Sequence, residues 1–340
     1  ALIGNHANDV EYTGTDNYND KFSLWGYGAG IGYNLQTKKL SLYANAGVIT
    51  ERSEINGVVI NDPYPGTHLN AQYAFNRKNK LTVFFQYVTF TPEISERSTA
   101  VLKNNDFYYI TGNPNLVSSR LTEIFTDYTW LPSNNFSISV FGSYEHIGDR
   151  LTSVYEPYKD GTAILRRFDN SGHYADFNIG TKARLKLIGG KLQLMARPSW
   201  TNYRLTGIYA QTYNAFSLEA QANAYAGPFN FSAYYYAADK KLNKTTTAIT
   251  TGRPFYYVYA GWANQSWNIR LTAYNLLNKG WKHSTSTIDT PHYGAKTTSY
   301  SVDYHARLQL SVTYTIGYGK KVKRGNEIGE QEEAASAILK

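Results

Sequence analysis

Stretches of about ten residues that alternate apolar with polar side chains recur in pairs along this chain, with a tight turn inside each pair and a long polar segment between pairs. Successive side chains on a β-strand point to opposite faces, so the alternation describes two-faced strands. In 80–90, Leu81, Val83, Phe85 and Tyr87 share one face, and Thr82, Gln86 and the exception Phe84 share the other. At the end, Leu308, Leu310, Val312, Tyr314, Ile316 and Tyr318 alternate with Arg307, Gln309, Ser311, Thr313 and Thr315. The pattern predicts thirteen strands, at 22–33, 40–52, 67–76, 80–90, 120–131, 136–147, 173–187, 191–205, 213–225, 229–238, 254–264, 267–276 and 303–318. Turn chemistry marks the tight connections at 34–38, 76–79, 132–135, 188–190, 226–228 and 264–266. The segments 53–66, 91–119, 148–172, 239–253 and 277–302 are long and rich in Gly, Asn, Thr, Ser and Pro, with a shorter one at 206–212. This sorting predicts an all-β fold, an antiparallel up-and-down transmembrane β-barrel with short periplasmic turns and long extracellular loops.

A magnitude assigns the faces. In 173–187, Asp176, Asn178, Lys182, Arg184 and Lys186 oppose Phe177, Ile179, Ala183, Leu185 and Leu187. A lysine or arginine facing lipid near the midplane costs about 2–4 kcal/mol. The charged face is therefore the lumen. Glu219, Gln221 and Asn223 oppose Leu218, Ala220, Ala222 and Ala224 in the same way, and Asn268, Arg270, Thr272 and Tyr274 oppose Trp267, Ile269, Leu271 and Ala273.

Composition agrees with a membrane wall made of strands. The chain has 31 Tyr, 15 Phe and 6 Trp, yet no apolar run approaches the roughly 18 residues of a membrane helix. Tyrosine suits a membrane–water interface, where an apolar ring ends in a polar tip. Trp130, Phe136, Phe229, Trp262 and Trp267 beside the short turns, and Phe90, Trp200, Tyr203, Tyr213, Phe216, Phe255 and Tyr256 nearer the loops, predict two aromatic girdles. With no cysteine there is no disulfide framework or thiolate metal site. The net charge of +8 is scattered over turns, lumen faces and loops, which argues against nucleic acid as a partner. The charged run from Lys320 to Glu333 reads as part of a solvated periplasmic tail over 319–340. No His-x-x-x-His pair, Gly-x-Ser-x-Gly elbow or matched carboxylate pair is present, so neither an enzyme, a metal site nor a cofactor is expected.

Thirteen strands leave two sheet edges, and each backbone group left unsatisfied in hydrocarbon costs several kcal/mol. The chain begins at Ala1 without a methionine or signal peptide, and its first strong strand is followed by a short turn and so descends from outside. The favoured expectation is that further strands precede Ala1 and that 1–21 belongs to an extracellular loop. The alternative is a fourteenth strand around Val10 and Tyr12.

Three stretches carry a resemblance. Gly112-Asn113-Pro114-Asn115-Leu116 is similar to the Gly-Asn-Pro-x-Leu preceding a mid-barrel strand in TonB-dependent outer-membrane receptors of the kind abundant in Bacteroidetes, although the Lys-Pro-Glu usual there is Val117-Ser118-Ser119 here. Tyr274-Asn275-Leu276-Leu277-Asn278 resembles the Asn-Leu-Phe-Asn element where a late strand enters its loop, with Leu277 in the Phe place. Leu308 to Tyr318 with Gly319-Lys320-Lys321 resembles the family's last strand and basic tail. The resemblance implies a 22-strand barrel around an N-terminal plug, a class with a plugged lumen. It further implies energised import driven by the TonB complex. On that count 22–33 is the tenth strand and descends, as the loop lengths require. The plug and the preceding strands would lie outside this chain, and a surface lipoprotein stays open as a partner.

Candidate ligand contacts are Tyr108 and Tyr109 in 91–119, Asp149, Arg150, Arg166 and Arg167 in 148–172, and Trp281, His283, His292 and Tyr293 in 277–302. Aromatics beside arginines and carboxylates suit sugars, peptides or anionic chelates. Candidate lumen and plug contacts are Lys182, Arg184, Glu219, Gln221, Arg270, Arg307 and Gln309, together with a strip of Gly26, Gly28, Gly30 and Gly32. The strip admits two readings: a flat surface for the plug backbone, or glycines that bend the barrel wall. A passive 14-strand porin and a non-transporting surface barrel are the competing functions.

Overall fold

The computed structural model describes residues 2–12, 18–55, 57–278 and 280–316. Fourteen strands form one antiparallel sheet in which spatial neighbours follow sequence order, from Leu2–Tyr12 and Tyr18–Gln36 to Trp267–Tyr274 and Arg307–Tyr314. Its two edge strands are Leu2–Tyr12 and Arg307–Tyr314. The two faces are continuous across the ladder. One outward row runs Phe85, Ile124, Tyr144, Phe177, and another runs Leu185, Leu194, Ala222, Ala233, Val258, Ala273, Leu308. On the opposite face His68, Gln86, Glu123, Glu145, Asp176, Tyr203 and Tyr213 stand in one row. A one-residue slip would exchange these faces, so the pattern also sets the register.

Several expectations are corrected. The segment 1–21 contains the strand Leu2–Tyr12, paired over its 11 residues with Tyr18–Gln36. Within 5–14 only Val10 and Tyr12 are apolar at alternate positions, but backbone pairing does not need side-chain alternation. The long loop expected at 53–66 is a tight hairpin, because Leu40–Ile55 and Val58–Asn76 stay paired up to Ile55 and Val58. Polar residues such as Glu51, Arg52 and Asn61 break the apolar alternation there, while the backbone ladder continues through them. The last strand begins at Arg307 rather than 303, since Val302–Tyr304 is a 3-10 turn capped by Ser301. Of the loop-side girdle, Trp200, Phe216 and Tyr256 face outward, whereas Phe90, Tyr203, Tyr213 and Phe255 have the inward parity. The expected tail, 319–340, lies outside the described residues.

The glycine strip is tied to the neighbouring strand. Gly30 stands opposite Gly47, and a side chain on Gly28 would meet the Val48 carbonyl at 2.9 Å and Ile49 Cγ1 at 2.8 Å. Close approach of the neighbouring strand's backbone is one requirement for glycine at Gly28 and Gly30. Gly26 and Gly32 are roomier, their nearest neighbours lying at 3.9 Å.

Candidate functional site

The long connections build two small sheets of their own at the loop end. In the first, Leu151–Tyr158 and Ala163–Asn170 form a hairpin, Tyr108–Thr111 adds parallel to the second of these, and Leu102–Asn105 closes the order. The second runs Lys240–Leu242, Ile249–Gly252, Lys282–Asp289 and Gly294–Tyr300. The first hairpin turns through Lys159, Asp160 and Gly161, all at positive φ, and its Asp-Gly pair is a hairpin signal readable in the sequence.

The two motifs of the resemblance serve as struts. Gly112 and Asn113 donate backbone hydrogen bonds to Ser98 and Glu96 carbonyls, and Asn113 Oδ1 accepts from the Asn115 amide at 3.0 Å. Leu116 is buried, and its carbonyl accepts from Arg97 Nη2 at 3.2 Å. Asn275, fully buried at φ 47°, accepts from the Tyr256 amide through Oδ1 at 2.9 Å and donates through Nδ2 to the Asp303 carbonyl at 2.7 Å. The Tyr256 hydroxyl in turn accepts from the Leu277 amide at 2.5 Å.

The segment 239–253 folds inward over the sheet. Leu242 and Ile249 pack on Leu121, Ile147, Tyr174, Leu205 and Tyr203, which all share the inner face. Lys244 Nζ reaches Glu145 at 2.6 Å, and its carbonyl accepts from Arg150 Nη1 at 2.9 Å. Arg150 is 1% exposed and Nη2 also reaches the Ile208 carbonyl at 3.5 Å, so it ties three connections together rather than meeting a ligand. Burial lowers its guanidinium pKa to about 10.

Loops distant in sequence bring Tyr108, Arg166 and Tyr293 together, and add Tyr155, which the sequence reading passed over. Tyr293 stacks on Tyr155 at 4.5 Å and lies 5.6 Å from Tyr108. Tyr155 is 2% exposed and burial pushes its hydroxyl up to about 12. Burial also raises Tyr108, against an opposing pull from the Arg166 cation. A cavity of about 490 Å³ adjoins this cluster, lined by Tyr155, Glu156, Tyr209, Gln211, Asp289 and His292 among others.

The remaining candidates disperse. Tyr109 is buried and accepts from Lys159 Nζ at 2.5 Å. Asp149 is exposed at φ 49°, and its carbonyl accepts from Ser119 and Asn170 side chains. Arg167 is held by Glu156 at 2.9 Å and Asp169 at 3.1 Å. Trp281 lies 5.2 Å from His305 and His283 lies 4.4 Å from Tyr304, away from His292. Among the described residues no group of three or more His, Cys, Asp or Glu is placed to hold a metal ion.

Lys182, Arg184, Glu219, Gln221, Arg270, Arg307 and Gln309 all have the inward parity. Arg197 and Glu219 approach to 3.9 Å, and Arg270 and Arg307 lie over the rings of Tyr259 and Tyr274. A hollow of about 750 Å³ has Ala183, Ala196, Ala220 and Ala222 of the outward face in its lining and reaches Tyr256 and Leu277 at the loop end.

No family model matches this chain, and no curated protein matches it in sequence. Solved structures do match in fold. The FrpB iron transporter from Neisseria meningitidis is similar over 87% of this chain and 46% of its own, with 12% identity and a TM-score of 0.54. The copper transporter OprC matches 89% of this chain and 50% of its own, at 9% identity and a TM-score of 0.56. BauA, the ferric preacinetobactin receptor from Acinetobacter baumannii, matches 87% and 43%, at 15% identity and a TM-score of 0.51. The chain spans about half the length of these proteins, and the likeness is one of fold.

Proposed function

We propose that this chain is the C-terminal wall and loop cover of a TonB-dependent outer-membrane receptor of the Bacteroidetes type. The observation that carries the reading is the fourteen-strand meander itself. Its apolar rows face outward, its charged rows face inward, its folded loops gather at one end, and the same wall occurs in FrpB, OprC and BauA. Its two edges need partners in hydrocarbon. Eight further strands would complete the family's count of 22, placing Leu2–Tyr12 ninth.

The ligand meets the half-buried Tyr108, Arg166 and Tyr293, which pack around the buried Tyr155, and the adjoining cavity. Stacked rings beside a cation suit a ligand with a flat apolar face and an anionic group, such as an anionic chelate. The inward charged residues contact the plug, and force from the TonB complex moves that plug. No chemical step is assigned to the chain, and a surface lipoprotein remains a candidate partner.

The test is the full-length gene in its host. Uptake that stops when TonB is deleted, together with a reading frame upstream of Ala1 encoding a plug and eight more strands, is the expected result. Steady open conductance of the purified protein in a planar bilayer would refute it in favour of a passive pore.

A further inference from the structure

The outward face carries a basic patch that neither the plug nor a transported ligand would touch. Arg120, His146, His173 and Arg204 lie on four neighbouring strands or their ends, Ser119–Ser133, Phe136–Gly148, Tyr174–Leu187 and Leu192–Leu205. Register fixes their side. Thr122, His146, Ala175 and Arg204 form one row, and His146 and Arg204 share the parity of the outward Tyr144 and Trp200. Arg120 and Gly148 form the row above, with the parity of outward Ile124 and Tyr144.

The imidazoles of His146 and His173 stack at 5.4 Å. They close over Gly148, where an added Cβ would sit 3.8 Å from His146 Cε1 and 3.8 Å from His173 Nδ1. The missing side chain therefore leaves a niche between two rings, with Arg120 directly across the ladder. Arg120, His173 and Arg204 are exposed, and no carboxylate stands in either row. The acidic residues closest in sequence are Glu145, beside His146 but on the opposite face, and the exposed Asp149, just past the strand end at Gly148.

Height decides what the patch meets. Ten residues separate Phe136 from His146, Leu194 from Arg204, and Trp130 from Arg120. At about 3.3 Å per residue and a tilt near 40° the climb is about 25 Å, the height of the outward apolar band of such barrels. The patch therefore sits at the level of outer-leaflet headgroups, above Tyr144, Phe177 and Trp200. Arginine matches phosphate geometry with paired N–H donors, and an imidazole N–H adds a further donor.

We infer that Arg120, His146, His173 and Arg204 form a binding site for the phosphate groups of an outer-leaflet glycolipid. The inference rests on the outer-membrane orientation proposed above but not on any transported ligand. The test is native mass spectrometry of the full-length protein extracted from its outer membrane and incubated with phosphorylated or dephosphorylated lipid A. The wild type should retain the phosphorylated form about tenfold better, a difference of about 1.4 kcal/mol.

R120Q/R204Q should abolish that preference. G148V, which fills the niche without changing charge, should weaken it, and R52Q on a distant strand should leave it intact. Heat-modifiable migration on gels verifies that each variant is folded. Equal retention of both lipids by the wild type overturns the inference, as does full displacement by millimolar inorganic phosphate, which would mark a simple anion site. A wild type that does not fractionate with the outer membrane overturns this inference and the receptor reading together; one that does, yet shows no lipid preference, overturns this inference alone.

Discussion

Replacing Asn275 by alanine should unfasten the loop end of the last strands. The side chain is fully buried and satisfies two backbone groups, the Tyr256 N–H and the Asp303 carbonyl. Leaving a buried donor or acceptor without a partner costs about 1–3 kcal/mol each. The residue also sits at φ 47°, in the left-handed region, where alanine costs about 1–2 kcal/mol more than a residue suited to it. The sum is about 3–8 kcal/mol, a large share of the stability of an ordinary domain. Asn275→Gly separates the contributions, since it relieves the backbone strain and keeps the lost hydrogen bonds. It should recover about 1 kcal/mol of the loss. The assay is the denaturant midpoint of the full-length protein in detergent, with amide exchange at Tyr256 and Leu277 as a local readout. A loss below about 1 kcal/mol in Asn275→Ala, with unchanged exchange at both amides, would refute the reasoning.

Gly28→Leu should impair barrel assembly itself, because the new Cβ meets the Val48 carbonyl at 2.9 Å; normal yields of folded protein in the outer membrane would contradict this. Tyr155 should stay protonated well above the ordinary tyrosine range. Its folded pKa is raised to about 12, so the stability it contributes is complete below the unfolded value near 10 and is lost as pH rises through about 12, at most about 3 kcal/mol. Difference absorbance titration of Tyr155→Phe against the wild type measures it, and ionisation near pH 10 would disprove it. Ile188→Asn should raise stability by about 1 kcal/mol, since a β-branched, exposed residue at φ 53° gives way to one that tolerates this conformation; a lower denaturant midpoint would count against that account.

The wall was legible in the sequence because a sheet with one apolar and one polar face imposes a two-residue period. Leu81 to Tyr87 and Leu308 to Tyr314 have their observed faces from alternation alone, and Lys182 and Arg184 fall on the face opposite Ala183 and Leu185. Leu2–Tyr12 was harder to see, since its polar composition carries little period and its ladder with Tyr18–Gln36 is made by the backbone. Among the candidate contacts, Tyr108, Arg166 and Tyr293 come together from separate loops, while Arg150 is buried against the Lys244 and Ile208 carbonyls of other connections, an environment no local pattern shows.

What the sequence by itself determined is therefore the periodic part: strands, turns, faces and the end at which the long connections gather. Tertiary structure decided what those connections become. The parallel pairing of Ala163–Asn170 with Tyr108–Thr111, the seating of Leu242 on Leu121 and Tyr174, and the stacking of Tyr293 on Tyr155 all join segments far apart in the chain. A loop residue has no repeating environment to impose a period on its neighbours. Its role is set by which distant backbone or ring closes over it, and that appears only when the chain has folded.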